Sequence, residues 1–171
     1  MSLIRHAVPE DARAVAEIHL DAWRTAYSDI LPEAFLASLT VASRQAFWMQ
    51  FLADKQGDLL VAMEGDRMVG WINTGPCRDV CAARDEAEIW AFYVSPVAWS
   101  TGVGRQLWVS ARNGLIEQGH RQCHLWVLAQ NARAIRFYQA AGFDREELPA
   151  KTFELGGLMV DEIRYSCRLA V

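Results

Sequence analysis

No apolar run in this 171-residue chain approaches the roughly 20 residues that a membrane-spanning helix needs. The first residues also lack the apolar core of a secretory signal, so a cytoplasmic chain with no membrane partner is expected. Blocks of lysine and arginine are missing too: 17 basic residues against 21 acidic ones leave a net charge of −4. Proteins that hold DNA or RNA do so largely through positive charge, so no nucleic-acid partner is expected. Cysteine is scarce and unpatterned. Cys77, Cys81, Cys123 and Cys167 form no Cys-x-x-Cys, and His6, His19, His120 and His124 are dispersed. The cysteines read as free thiols and no metal site is expected. Linkers, repeats and low-complexity tracts are absent, so 1–171 reads as a single domain. What the chain does have is apolar residues, 52% of the total, including seven tryptophans. That is enough to build a substantial core.

Periodicity and turn residues divide the chain into alternating elements. Leu3 to Ala7 reads as a strand. Pro9 and Asp11 open a helix carrying Val15, Ile18, Ala22 and Trp23 at helical spacing. After a break at Tyr27 to Pro32, two further helices are expected over Pro32 to Leu39 and Ala42 to Ala53. Leu59 to Glu64 and Arg67 to Thr74 form a hairpin across Gly65-Asp66, and Gly75 to Glu86 reads as a loop. Glu88 to Val94 is a central strand, followed by a helix over Val103 to Gln118, a strand over His124 to Leu128 and a helix over Asn131 to Ala141. Lys151 to Leu155 and Leu158 to Leu169 close the chain as a hairpin around Gly156-Gly157. Strands before, between and after helices argue an α/β fold, a sheet with helices on both faces.

Two stretches carry the functional signal. Ala87 to Arg105, AEIWAFYVSPVAWSTGVGR, is a strand, a turn through Pro96, and Gly102-Val103-Gly104 opening a helix. A glycine turn that delivers a helix N-terminus leaves several amide N–H groups unpaired and aimed at one point, where the helix dipole favours negative charge. Phosphate or pyrophosphate is the ligand such a turn suits. A nucleotide P-loop is excluded because Gly104 is followed by Arg105-Gln106 rather than Lys-Ser/Thr. A dinucleotide fingerprint is excluded because Leu107 stands where its third glycine would be. The second stretch, LWVLAQNARAIRFYQAAGF from Leu125 to Phe143, is a short strand, then Asn131 as an N-cap, then a helix with Ala134, Phe137, Tyr138 and Ala141 on one face. Gly142 ends it. Arg105, Arg112, Arg133 and Arg136 on these two helices could attract an anion locally, although solvated helix faces explain such arginines as well.

Strand, x-x-G-x-G, helix, strand, then N-x-x-A-x-x-F-Y-x-x-x-G-F is the order of motifs in the GNAT superfamily of N-acetyltransferases, which the chain resembles from about Ile4 to Leu169. The resemblance implies a mostly antiparallel mixed sheet with one splayed parallel strand pair, between Trp90–Val94 and Leu125–Leu128, and acetyl-CoA as co-substrate in the gap. It implies cofactor contacts from Phe92, Tyr93 and Val94, from the loop Trp99, Ser100, Thr101, Gly102, Val103, Gly104 and Arg105, and from Asn131, Arg133, Ala134 and Phe137. Trp99 departs from the family pattern, which has Gln or Arg at that position; backbone amides carry most of the phosphate contact, so the cradle should survive.

Acetyl transfer from a thioester to an amine needs a base for the amine proton, a donor for the developing oxyanion and an acid for the leaving thiolate. Tyr138 matches the family tyrosine near the cofactor sulfur and is the candidate acid; as an aromatic on an apolar helix face it also reads as core. Glu88 is the candidate base, a carboxylate in an apolar strand where period two would put it on one face with Trp90 and Phe92. A glutamate at the solvated edge of the strand, with ordered water as the base, is the alternative. Trp23, Tyr27, Trp71 and Trp90 are candidates to line the acceptor pocket. The implied activity is transfer of acetyl to the primary amine of a small molecule. A protein N-terminus or lysine as acceptor, a weakly active acyl-CoA-binding module, and a homodimer all remain compatible with the sequence.

Overall fold

The computed structural model of the protein describes residues 2–169; Met1, Ala170 and Val171, at the ends of the expected 1–171 span, lie outside the described residues. Strand β1 (Leu3–His6) leads through a 3-10 turn at Pro9–Asp11 into α1 (Ala12–Ala26). Asp11 organises this entry. Its carboxylate accepts the Val8 N–H at 2.9 Å and both terminal nitrogens of Arg5, at 2.6 and 2.9 Å. Helices α2 (Glu33–Ser38) and α3 (Val41–Asp54) follow, then strands β2 (Asp58–Glu64), β3 (Arg67–Pro76) and β4 (Glu86–Val94). The second half runs α4 (Val103–Glu117), β5 (Gln122–Leu128), α5 (Ala132–Ala140), β6 (Asp144–Arg145), β7 (Lys151–Leu155) and β8 (Leu158–Arg168). β3 extends two residues past the expected Thr74, and the short β6 falls in a stretch the sequence pattern leaves unassigned.

The eight strands form one sheet in the order β1-β2-β3-β4-β5-β8-β6, with β7 attached to β8. Neighbouring strands run antiparallel except β4 and β5, which are parallel. This is the mixed, mostly antiparallel sheet expected. Helices cover both faces. Val15, Ala16, Trp48 and Phe51 of α1 and α3 pack with Val61 and Trp71 on one face. Val103, Leu107, Trp108 and Ala111 of α4 pack with Ala62, Val69, Ile72 and Leu125 on the other. Each helix buries one apolar stripe, the pattern its 3.6-residue period dictates. A third cluster, Tyr27, Leu31, Leu36, Leu128 and Val160, joins α1 and α2 to β5 and β8. Among the described residues no helix is long and apolar enough to cross a membrane.

Candidate active site

The site begins where a strand pair fails to continue. β4 and β5 pair only at Glu86–Gln122, Ala87–Cys123 and Glu88–His124; beyond these the two strands part. On its other side β4 stays paired to β3, but with a bulge: Asn73 faces Ala91, Thr74 faces Ile89, and Trp90 is the extra residue. An extra residue in one strand bends it and reverses the in-and-out alternation beyond that point. Ala87 and Ile89 before the bulge and Phe92 and Val94 after it all join the α4 side of the sheet, whereas Ala91 and Tyr93 pack with α1 and α3. The period-two expectation of a common face for Glu88, Trp90 and Phe92 is therefore corrected: an unbroken alternation cannot cross a bulge.

The parted strands open a cleft of about 870 Å³. At one end stands the glycine loop. Pro96–Ala98 makes a 3-10 turn, Thr101 donates its hydroxyl hydrogen to Ala98 O at 2.7 Å, and Gly102 takes φ 94°, a conformation that favours glycine. Gln106 returns its N–H to Gly102 O at 3.0 Å, so the amides of the first turn of α4 before it point out of the helix end. A Cβ on Gly104 would lie 3.1 Å from the Phe137 ring, which shows how closely α5 abuts this loop. Val103 is buried and Thr101 has spent its hydroxyl on the turn, so these two can offer an anion only their backbone. Trp99 takes a different part from the family side chain it replaces. Its indole N–H donates to Val94 O at 2.8 Å, tying the loop to the end of β4, and the Arg133 guanidinium sits 4.2 Å over its ring. That contact holds a cation beside the cradle, near Arg105 and Arg136, which line the same end of the cleft.

Further along, Phe92, Tyr93 and Val94 line the wall of β4, and Asn131, Ala134, Phe137 and Tyr138 line that of α5. Asn131 caps α5, its Oδ1 accepting the Ala134 N–H at 3.1 Å, and its side chain also meets the Tyr27 hydroxyl. Tyr138 is both core and site. Its ring packs edge-on against Phe137 and Phe143, at 5.4 and 5.7 Å between centroids. Among the described residues no side chain bonds its hydroxyl. Burial, followed by the nearby Tyr93 and Cys123, pushes its pKa up from the ordinary phenol value, so the group stays protonated.

The far end of the cleft is aromatic. Trp23 donates its indole N–H to the Tyr93 hydroxyl at 2.8 Å and meets Tyr27 edge-on at 5.2 Å. Trp90, swung out by the bulge, lies across Gly57 and Gly75 and donates to Pro76 O at 3.1 Å. Trp23, Tyr27 and Trp90 line the cleft. Trp71 does not. It is fully buried, its indole N–H bonded to Val15 O at 3.0 Å under α1, because its position on β3 points it into the α1–α3 core.

Glu88 also stands elsewhere than the sequence suggested. It is buried, and its carboxylate accepts the Arg78 backbone N–H at 2.9 Å and Arg78 Nε at 3.3 Å, with the guanidinium end closing an ion pair. It lines a side cavity of about 340 Å³ with Arg78, Asp79 and Lys151, rather than the main cleft. An engaged carboxylate on this side of the bulge is poorly disposed to take a proton from an amine at the thioester. Sequence reasoning missed Trp126, Phe153, Leu155 and Glu162, which also line the cleft. Nothing local marks them: they are ordinary strand residues of β5, β7 and β8, brought here by the parting of β4 and β5 and by the closing hairpin.

A helix N-terminus beside a cleft between parted parallel strands, with a protonated tyrosine on the cleft wall, is an arrangement that suits a phosphate-bearing ligand. The profile of the Acetyltransferase (GNAT) family matches residues 13–143, and the chain belongs to that family. It is 29% identical over 163 residues to the uncharacterized N-acetyltransferase YuaI of Bacillus subtilis, covering 95% of this chain and 91% of that protein. Its fold matches that of the PaiA N-acetyltransferase of Thermoplasma acidophilum in complex with coenzyme A. That match has a TM-score of 0.80 at 20% identity and covers 98% of this chain and 99% of the other. The fold of yncA from Salmonella typhimurium, with its cofactor acetyl-CoA, matches with a TM-score of 0.74 at 21% identity, over 99% and 94% of the two chains. The protein is an N-acetyltransferase of this family.

Proposed function

We propose that the enzyme moves the acetyl group of acetyl-CoA to the primary amine of a small molecule, by direct attack of the amine on the thioester and with Tyr138 as the acid. The observation that carries this reading is the position of Tyr138. It is a protonated hydroxyl on the cleft wall, without a side-chain partner among the described residues. The amides of Gly102, Val103, Gly104 and Arg105 would hold the pyrophosphate, with Arg133 and Arg105 beside it, and the unpaired edges of β4 and β5 would hold the carrier's arm. Acetyl-CoA supplies the activated acyl group. An edge amide of β4 beyond Glu88 donates to the charge that develops on the carbonyl oxygen, and Tyr138 gives its proton to the departing thiolate.

A small acceptor suits the aromatic end, where the closing hairpin meets α2. The β7–β8 hairpin presses on α2, and a Cβ on Gly156 would meet the Phe35 ring at 2.6 Å. An extended peptide would have to part that contact. The test is thiol release from acetyl-CoA with a panel of alkyl- and arylalkyl-amines beside peptides with free N-termini or lysines. Turnover with small amines and little with peptides is expected; the reverse preference would assign the acceptor to proteins, and no thiol release with any amine would leave only acyl-CoA binding.

A further inference from the structure

Glu162 is the carboxylate that the charge pattern leaves over. Where the main cleft meets the side cavity, Arg78 is committed to Glu88, and Arg164 bridges Asp79 at 2.9 Å and Glu146 at 3.1 Å. Lys151 reaches Asp79 at 3.4 Å and covers the Trp126 ring at 3.7 Å. Glu162 lines both cavities, and among the described residues it has neither an ion-pair partner within 4 Å nor a side-chain hydrogen bond. A part-buried carboxylate with no partner is costly, and it is relieved by a cation that enters from outside.

We propose that Glu162 binds the ammonium group of the acceptor and takes up its proton. The acceptor is thereby a primary amine carried as a cation. The inference rests on the small-amine reading above. The acceptor R–NH₃⁺ passes one proton to the Glu162 carboxylate, leaving a neutral amine and a carboxylic acid that later returns the proton to solvent. The nitrogen lone pair then forms the C–N bond while the C–S bond breaks and the Tyr138 proton goes to sulfur. The second proton leaving nitrogen restores Tyr138. Reactants and products balance as ammonium and thioester going to amide, thiol and one released proton.

The surroundings agree with a carboxylate adjusted for this task. Burial pushes the Glu162 pKa up; Lys151 of β7 and Arg78 draw it back, and Glu88 of β4 adds to the rise. Tyr27, just after α1, and Tyr93 of β4 face it as well, both held protonated chiefly by burial. A base whose affinity for protons lies above that of an ordinary carboxylate is better matched to an ammonium donor. The neighbouring tryptophans and tyrosines keep water away and strengthen the charge interaction.

The test compares wild type with Glu162→Gln and Glu162→Asp, using the amine from the panel that the wild type turns over fastest. Gln removes an unpaired charge while keeping the shape, so the thermal midpoint should hold or rise. Acetyl-CoA affinity should not move. At neutral pH kcat/KM should fall by about 10²-fold, with Asp recovering part of the loss. The pH profile separates a base from a structural residue. Wild-type kcat/KM should level off above the carboxylate range, whereas that of Glu162→Gln should climb about tenfold per pH unit towards the pKa of the amine, as free amine appears in solution. A Glu162→Gln profile parallel to wild type overturns the assignment of Glu162 alone. A wild type inactive with every amine overturns the small-amine reading and the Glu162 assignment with it.

Discussion

The two ends of the cleft are built on opposite plans. At the glycine-loop end the cleft presents backbone: the first amides of α4, a glycine with φ 94°, and a second glycine where the Phe137 ring leaves room for little else. At the aromatic end it presents side chains from several elements: Trp23 of α1 and Tyr27 just after it, Trp90 of β4, Trp126 of β5, Phe153 of β7 and Glu162 of β8. Amides in a turn have one chemistry whatever the residue, so that end is restricted to binding one kind of group. The side-chain end can change acceptor by exchanging residues on strands whose pairing continues unaltered. Trp99, which stands where the family pattern has Gln or Arg, ties the loop to β4 and holds the Arg133 cation beside it.

The largest effect should come from an insult to the backbone end. Gly104→Asp brings a carboxylate to the cradle and a Cβ to within 3.1 Å of Phe137. Acetyl-CoA affinity should fall on the order of 10³-fold, about 4 kcal/mol, measured by calorimetry on protein whose circular dichroism is unchanged. Undiminished affinity would break the comparison by removing the backbone from recognition.

A smaller loss is expected at the junction of the two ends. Tyr138→Phe keeps the ring among Phe92, Phe137 and Phe143 and deletes only the hydroxyl. Turnover should drop on the order of 10²-fold while acetyl-CoA affinity and thermal stability hold. Full turnover would make Tyr138 a packing residue and shift the acid's role to solvent.

The smallest effect concerns the support beneath the acceptor end. His19 stacks on Tyr93 at 4.6 Å among Trp23, Trp48 and Trp71, and neither ring nitrogen has a partner among the described residues. Burial, and then Arg44, lowers its pKa to about 3. The folded state therefore resists protonation that the unfolded chain accepts near 6.5. The contribution of His19 to stability is complete above pH 6.5 and drains as pH falls from there towards 3, by at most about 1.4 kcal/mol per pH unit. Thermal midpoints recorded between pH 8 and 5 should show that decline. His19→Phe, which has no ring nitrogen to protonate, should flatten it; an equally steep decline in the variant would locate the sensitivity elsewhere.

The elements that obey local rules were legible without coordinates. The Pro9–Asp11 helix start, the Asn131 cap, the Gly65-Asp66 hairpin and the Gly102-Val103-Gly104 turn each depend on residues within a few positions of one another. For the same reason the glycine turn and the capped helix that flank the cleft could be written down from two short motifs. The bulge at Trp90 could not be read this way. Nothing in AEIWAFYV breaks the alternation, and the extra residue exists only because β4 must stay in register with β3 at both ends. That single residue separates Glu88 from the face of Phe92, sends Trp90 across Gly57 and Gly75, and marks where β4 leaves β5.

The sequence by itself determined all the strands but β6, the helices on the sheet's two faces and the Gly102-Val103-Gly104 turn, because periodicity, capping and glycine geometry act over a turn or two of chain. Tertiary structure alone decided which tryptophans reach the cleft, that Glu88 would be spent on Arg78, and that Glu162, 74 positions after it in the numbering, would stand there unpaired among the described residues. Charge compensation depends on which side chains meet, and for residues this far apart only the completed packing of the strands settles that.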